Sequence, residues 1–108
     1  MCGCSELKGQ KAKETMTENG LKQVVLSLAY KNGWAVYHVP QATITHKGGG
    51  NGYPDLTLAR DKEVVWMELK AENGTLTPEQ VMWKTALPFA HVIRPSDWHS
   101  GRVHELLA

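Results

Sequence analysis

The chain has 108 residues, a formal net charge of +1 and 42% hydrophobic residues. This length is typical of one domain with a single core, and the composition excludes collagen-like, disulfide-dense and intrinsically disordered chains. No apolar run is long enough for a membrane span, and the N-terminus lacks the apolar core of a signal peptide. We therefore expect a soluble, cytoplasmic protein. So small a net charge neither favours nor excludes a nucleic-acid partner, because the distribution of basic residues over the surface decides that.

Residues 1–16 are polar, mixed in charge and without an apolar period, which predicts a flexible N-terminal tail before a domain at 17–108. Cys2 and Cys4 lie in this tail. A Cys-x-Cys pair can give two thiolates to a zinc ion. The sequence has no second cysteine pair and no histidine near this one, so the spacing favours a free tail.

A helix is predicted to begin after Thr17, a good N-cap residue, with Glu18 in its first turn. Its apolar residues recur at helical spacing and are Leu21, Val24, Val25, Leu28 and Ala29. Asn32-Gly33 ends the helix. Residues 34–39 alternate in polarity and are rich in β-forming residues, which predicts a strand. The glycine-rich residues 41–52 predict a mobile surface loop.

Two clearer strands follow, at residues 55–60 and 63–70, with Asp61-Lys62 as the turn between them. This turn is not one of the favoured Asn-Gly or Asp-Gly pairs. Successive residues of a strand point to opposite faces, so Glu68 and Lys70, which are two apart, share one face. The other face is predicted to be an apolar stripe of Val65, Met67 and Leu69.

The segment Thr77-Pro78-Glu79-Gln80 starts a second helix, with an N-cap, a proline at the first position and a capping-box glutamine. This helix is expected to end near Leu87. Residues 91–94 predict a short strand, and Ser96 is expected to cap a last helix. The order of elements predicts an α/β domain with a mixed central sheet flanked by helices.

The hairpin also brings two acidic residues together. With a two-residue turn, Asp55 falls directly opposite Glu68, where Cβ atoms are roughly 4.5–5.5 Å apart. Carboxylates this close repel each other, and a divalent cation between them removes the repulsion. Lys70 lies on the same face, where it can orient an attacking water or stabilise negative charge on a phosphate.

The same spacing has an ordinary structural explanation. Glu and Lys two apart on a strand often form a solvated face with a weak ion pair, and aspartate after proline is a common turn residue. An odd-length turn would also shift the register and move Asp55 to the opposite face. Spacing alone therefore leaves both explanations open.

The residues around the acidic pair resemble the PD-(D/E)xK nuclease signature, in Gly52-Tyr53-Pro54-Asp55-Leu56 and Val65-Trp66-Met67-Glu68-Leu69-Lys70. Further segments are similar to the virus-type replication-repair nuclease (VRR-NUC) family. They are Thr17-Glu18, Leu28-Ala29, Gly33-Trp34, Val36-Tyr37-His38, Leu76-Thr77-Pro78-Glu79-Gln80 with Trp83, and Arg94-Pro95-Ser96-Asp97. The resemblance covers nearly all of the chain from Thr17 onward, with the motifs in the order and spacing of the family.

This resemblance implies a restriction-endonuclease-like (PD-(D/E)xK) core and a phosphodiesterase that depends on Mg²⁺ or Mn²⁺. Asp55 and Glu68 would be metal ligands, with the Leu69 carbonyl as a third. Lys70 would position or activate the water. Gln80 matches a family glutamine that supports the active site.

The first helix matches the family less completely. Glu18 corresponds to an acidic residue that lies near the metal in the family, although it would also stabilise any helix N-terminus. The family usually has a glutamine shortly afterwards, where this chain has Lys22 followed by Gln23. Either Gln23 takes that role or the role is absent.

Three residues are candidates for substrate contact. His46 and Lys47 lie in the glycine-rich loop, where they can contact phosphates or simply be part of a polar loop. His38 lies on the strand that leads into the loop, and a structural role is equally open.

We therefore expect a metal-dependent endonuclease that hydrolyses phosphodiester bonds in DNA, with Holliday-junction or flap-like substrates. Stand-alone members of this family resemble junction resolvases, so the resemblance further implies a homodimer. The short length leads us to expect a lone-domain protein encoded by a phage or prophage and acting in the cytoplasm of a bacterial host. One alternative is a non-catalytic DNA-binding module on the same fold. Another is a metal-stabilised protein-interaction domain.

Overall fold

A computed structural model of the chain describes residues 16–38 and 52–108. Its helices are α1 (Glu18–Lys31), α2 (Pro78–Ala86), α3 (Pro95–His99) and α4 (Arg102–Leu106). Its strands are β1 (Ala35–His38), β2 (Leu56–Arg60), β3 (Glu63–Leu69) and β4 (Ala90–Ile93). The expected tail up to residue 15 and the glycine-rich loop up to residue 51 lie outside the described residues.

The strands form one four-stranded mixed sheet in the order β1-β2-β3-β4. The first three are antiparallel neighbours, whereas β3 and β4 run parallel. A parallel pair needs a crossover connection, and α2 supplies it. The expected α/β fold with a mixed sheet flanked by helices is therefore confirmed at this level.

The register of the β2–β3 hairpin is the predicted one. Arg60 pairs with Glu63 at the turn, and Leu56 pairs with Met67 at the far end. Asp61 and Lys62 have positive φ angles of 51° and 71°, as the two central residues of a type I′ turn require. This geometry, rather than a favoured turn sequence, directs Asp55 towards Glu68.

One face of the sheet carries the core. Met67 and Leu69 are almost completely buried there, as predicted, while Val65 is only half-buried. Helix α1 packs its own apolar stripe into the same cluster. The other buried members are Leu21, Val25, Ala29, Trp34, Leu56, Leu58, Ile93, Val103 and Leu107. Each fully buried aliphatic side chain contributes about 1.5–3 kcal/mol, so the position of α1 on the sheet is strongly determined.

Several predicted boundaries were wrong by one residue. Strand β2 begins at Leu56 and β3 ends at Leu69, so Asp55 and Lys70 flank the strands instead of belonging to them. The reason is that the Asp55 side chain, not a backbone carbonyl, accepts the hydrogen bond from the Leu69 N–H. Strand β4 likewise begins at Ala90 instead of His91.

The expectation of a single last helix capped by Ser96 was also wrong. Gly101 has a φ of 90° and divides the segment into the short helices α3 and α4. Helix α3 begins two residues earlier than expected, because Asp97 accepts a hydrogen bond from the Arg94 N–H at 2.7 Å. Within the described residues, no helix combines the length and the apolar character that crossing a membrane requires.

Candidate active site

The predicted acidic residues meet at the end of the sheet where β2 begins and β3 ends. Asp55 is half-buried, and its Oδ2 accepts a hydrogen bond of 2.8 Å from the Leu69 N–H. This contact fixes the Asp55 carboxylate beside the end of β3. Asp55, Glu68, Leu69 and Lys70 are therefore brought together by the hairpin register.

Glu68 is the buried acid of the pair. Only 7% of the residue is exposed. Its Oε2 accepts a hydrogen bond of 2.9 Å from the Gln80 amide nitrogen. Its Oε1 is also buried and has no hydrogen-bond donor among the described residues. A buried carboxylate oxygen without a partner is strongly destabilising, so this atom requires either a proton or a cation.

The protonation of Glu68 reflects this environment. Burial first, and then the negative charge of Asp55, raise the pKa of Glu68 to about 8, and the charge of Lys70 opposes the rise only in part. Burial also raises the pKa of Asp55, while the Leu69 N–H and a hydrogen bond from Glu68 lower it. Without a cation, one proton is therefore shared at neutral pH, carried by Glu68 and donated to Asp55.

Gln80 reaches Glu68 because of the way that α2 begins. The Thr77 hydroxyl accepts a hydrogen bond of 3.1 Å from the Gln80 backbone N–H, and the side-chain oxygen Oε1 of Gln80 accepts one of 2.9 Å from the Thr77 backbone N–H. The predicted capping box is thus confirmed. It occupies the oxygen of the Gln80 amide and leaves the NH₂ group for Glu68, so the structural and supporting roles of this residue coincide.

Helix α1 adds two further charges to the site. Burial and the charge of Asp55 raise the pKa of Glu18, whereas Lys70 and Lys22 lower it. The structure thus places the first-helix acid in the same electrostatic environment as the acidic pair. The residue beside it in this environment is Lys22, whereas Gln23 is exposed.

Lys70 lies next to a turn that a hydrogen-bond network holds in place. One guanidinium nitrogen of Arg94 donates to the carbonyls of Ala71, Glu72 and Gly74 at 3.0, 3.2 and 2.6 Å. Gly74 in turn lies against the aliphatic stem of Lys70. The sequence identifies Arg94 only as part of a motif, and its contribution in the structure is to fix the chain directly after Lys70.

A polar aromatic cluster on the α2 side of the sheet does not follow from the sequence patterns. The Tyr53 hydroxyl accepts a hydrogen bond of 2.8 Å from the Trp66 indole and forms another with Thr57. Its ring meets Trp83 of α2 edge to face, with 5.0 Å between centroids. The two-residue period does place Trp66 on the Glu68 face, but Tyr53 precedes its strand and gives no such signal.

Gly52 is a second residue whose role the sequence does not reveal. Its φ is +83°, and a Cβ atom at this position would lie 2.6 Å from the backbone carbon of Glu79. The chain leading to Asp55 therefore runs directly against the first turn of α2. Only glycine permits this approach, which keeps Gln80 within reach of Glu68.

The three predicted substrate contacts are not equally placed. His38 is exposed at the end of β1 and pairs with Leu56, so it lies at the same end of the sheet as the site. His46 and Lys47 lie outside the described residues.

The donor set fits a magnesium-type ion. Two carboxylates converge, one of them with a buried oxygen that lacks a partner within the described part of the chain. Magnesium sites commonly use one or two carboxylates and complete their coordination with water and substrate phosphate. No group of three or more His, Cys, Asp or Glu residues suited to a metal occurs within the described ranges, so a closed cage of side chains is not present there.

In comparisons with known proteins, no family model, curated protein or solved structure matches the chain. What the fold and the site define is a mixed α/β domain with a buried carboxylate pair at one end of its sheet. A lysine directly after β3 and a lysine from α1 flank this pair.

Proposed function

We propose that this protein is a metal-dependent endonuclease that hydrolyses phosphodiester bonds in DNA, built on a PD-(D/E)xK-type core. The observation that carries the proposal is Glu68, which is buried beside Asp55 with an Oε1 atom that accepts no hydrogen bond among the described residues. A shared proton satisfies this pair when no metal is bound. A hard cation between the two carboxylates would replace that proton and remove their repulsion.

Asp55 and Glu68 would hold Mg²⁺ or Mn²⁺, together with the Leu69 carbonyl. Such an ion lowers the pKa of water and neutralises charge on a phosphate oxygen. Gln80 occupies Glu68 Oε2 with its hydrogen bond, so Oε1 is the carboxylate oxygen left to bind a metal ion. The Lys70 ammonium, whose charge reaches Glu18, Asp55 and Glu68, orients the attacking water and stabilises charge on the phosphate.

The substrate and the assembly are narrower parts of the same proposal. The motif resemblance favours branched DNA, such as a four-way junction or a flap, and a symmetric homodimer with one site per subunit.

The test is cleavage of labelled four-way junction, flap, single-stranded and linear duplex DNA in Mg²⁺, Mn²⁺ or EDTA. We expect cutting that requires the metal and falls at least about 100-fold in Lys70→Ala, because a charge that acts mainly in the transition state is removed. Lys84→Ala, an exposed lysine of α2, is the matched control and should cut normally.

The outcomes separate the possible functions. If the folded wild-type protein cuts none of these substrates, the nuclease proposal is wrong. DNA binding without cutting would then indicate a non-catalytic DNA-binding module. A metal-induced thermal shift without DNA binding would indicate a protein-interaction domain.

A further inference from the structure

Lys22 is a basic residue that the proposed mechanism does not yet use. It follows Glu18 by four positions, so the two side chains share one face of α1. Lys22 is half-buried, and its neighbours on the helix surface, Leu21 and Val25, are fully buried against the sheet. Side chains on a helix lean towards its N-terminus. The Lys22 stem therefore leads from the rim of the core towards Glu18 and the carboxylate pair.

The electrostatics agree with this geometry. The charge of Lys22 acts on Glu18 of the same helix and on Asp55, which belongs to a different element. Among the charges that lower the pKa of Asp55, the charge of Lys22 has a larger effect than that of Lys70. Lys22 therefore acts electrostatically on Asp55, the aspartate that belongs to the same sequence motif as Lys70.

Charge balance indicates what Lys22 is for. Glu18, Asp55 and Glu68 would carry three negative charges once a bound metal ion had displaced the proton of Glu68 into solvent. Lys70 and a divalent ion together neutralise them, and Lys22 then leaves the site with a single positive charge. A phosphodiester group carries a single negative charge, so Lys22 makes the loaded site complementary to a DNA backbone instead of neutral.

We propose that Lys22 is a substrate-binding residue of this site, which donates a hydrogen bond to a phosphate oxygen of the DNA backbone beside the carboxylate pair. The inference rests on the proposed nuclease function and adds a second phosphate-binding lysine to it.

The experiment compares Lys22→Gln and Lys22→Arg with the wild-type protein. Lys31→Gln is the matched control, since Lys31 is exposed in the last turn of the same helix. Binding of a labelled four-way junction is measured in Ca²⁺ over a range of salt concentrations, and cleavage is measured in Mg²⁺. Thermal unfolding verifies that each variant is folded.

We expect Lys22→Gln to weaken DNA binding about 10-fold and to reduce the slope of log K against log salt by about 0.9, the value for one phosphate contact. Cleavage should show a raised KM. Lys22→Arg should retain most of the affinity and the full salt slope, because it keeps the charge. Lys31→Gln should behave like the wild type.

The readouts distinguish failure of this inference from failure of the nuclease proposal. If the wild type cuts DNA and Lys22→Gln binds with unchanged affinity and slope, Lys22 makes no phosphate contact and only the nuclease proposal survives. If the wild type binds without cutting and Lys22→Gln shows the expected reduction in the slope of log K against log salt, the phosphate contact is supported while hydrolysis is not. Absence of DNA binding by the wild type would overturn both.

Discussion

At the scale of single residues, the Glu68 carboxyl group destabilises the metal-free fold and is also a proposed metal ligand. Its carboxyl group is buried beside Asp55, and one oxygen lacks a donor within the described ranges. Glutamine has the same shape and carries no charge. In Glu68→Gln the amide NH₂ group can donate to Asp55 while its oxygen still accepts from Gln80, so the repulsion disappears.

We therefore expect Glu68→Gln to stabilise the metal-free protein by about 1–3 kcal/mol at about pH 9. It should also abolish the thermal shift caused by Mg²⁺, because a metal ligand is lost. Urea unfolding in EDTA and thermal scans in Mg²⁺ measure the two effects. A destabilised variant that still responds to Mg²⁺ would contradict the assignment.

The pH dependence of stability is a second consequence of the same residue. The pKa of Glu68 is about 8 in the folded protein, above its ordinary value of 4.5. The folded state therefore keeps a proton that the unfolded state releases, and this contribution to stability is complete below pH 4.5 and lost as the pH rises through about 8. Urea midpoints in EDTA should accordingly fall over this interval.

Saturating Mg²⁺ should oppose this fall, because the metal replaces the proton and binds better as the proton leaves. Glu68→Gln is the control, and its midpoint should change much less with pH over the same range. A wild-type midpoint in EDTA that rises towards pH 8 would mean that Glu68 is not protonated in the folded protein.

At the scale of secondary-structure elements, the contact between Gly52 and α2 determines whether Gln80 reaches Glu68. A methyl group at Gly52 would overlap the backbone of Glu79 and would also suffer the strain of a positive φ. Gly101 has a similar φ of +90°, but a Cβ atom there meets nothing within 4 Å. Gly101→Ala is therefore a matched control that isolates the backbone strain.

We expect Gly101→Ala to lower the free energy of unfolding by about 1–2 kcal/mol, the strain of the left-handed region alone. Gly52→Ala should lose about 1–3 kcal/mol more, because overlap with α2 is added. It should also weaken the thermal shift by Mg²⁺, which Gly101→Ala leaves intact. Equal effects of the two substitutions would show that α2 can shift away from residue 52 without loss of stability or of metal binding.

These elements also show which features a sequence can predict. The register of the β2–β3 hairpin follows from the two-residue period and the length of the turn, and the capping box of α2 from the segment Thr77-Pro78-Glu79-Gln80. Both are determined by residues that are close in the sequence. The capping role of Gln80 is therefore predictable from the sequence alone, whereas the proximity of Asp55 to Glu68 is predictable only on the condition that the turn has two residues.

Contacts between distant segments give no comparable signal. The sequence marks Gly52 only as a motif residue at the end of a glycine-rich loop, because its close approach to α2 depends on how two elements pack. Tyr53 precedes its strand and has no period, although it joins Trp66 and Trp83 in one cluster. The division of the last helix at Gly101 is hidden in the sequence because the apolar residues continue past it.

At the scale of the whole molecule, three segments converge on one end of the sheet. The first turns of α1 and α2 bring Glu18 and Gln80 there, and the hairpin brings the acidic pair. The opposite end of β2 makes structural contacts that lie away from the candidate site. Arg60 stacks on Trp34, with 4.3 Å between its guanidinium carbon and the ring centroid, and donates to the carbonyls of Asn32 and Ala108.

This separation predicts that stability and metal binding can be changed independently. Arg60 and Leu56 are the two ends of β2, about 13 Å apart at roughly 3.3 Å per residue. Arg60→Lys keeps the charge but loses the planar stacking and the paired hydrogen bonds, so we expect a loss of about 1–2 kcal/mol in urea unfolding. The increase in melting temperature caused by Mg²⁺ should equal that of the wild type. A reduced increase would mean that the far end of the sheet also determines the geometry of the carboxylate pair, and that the site depends on the packing of the whole domain.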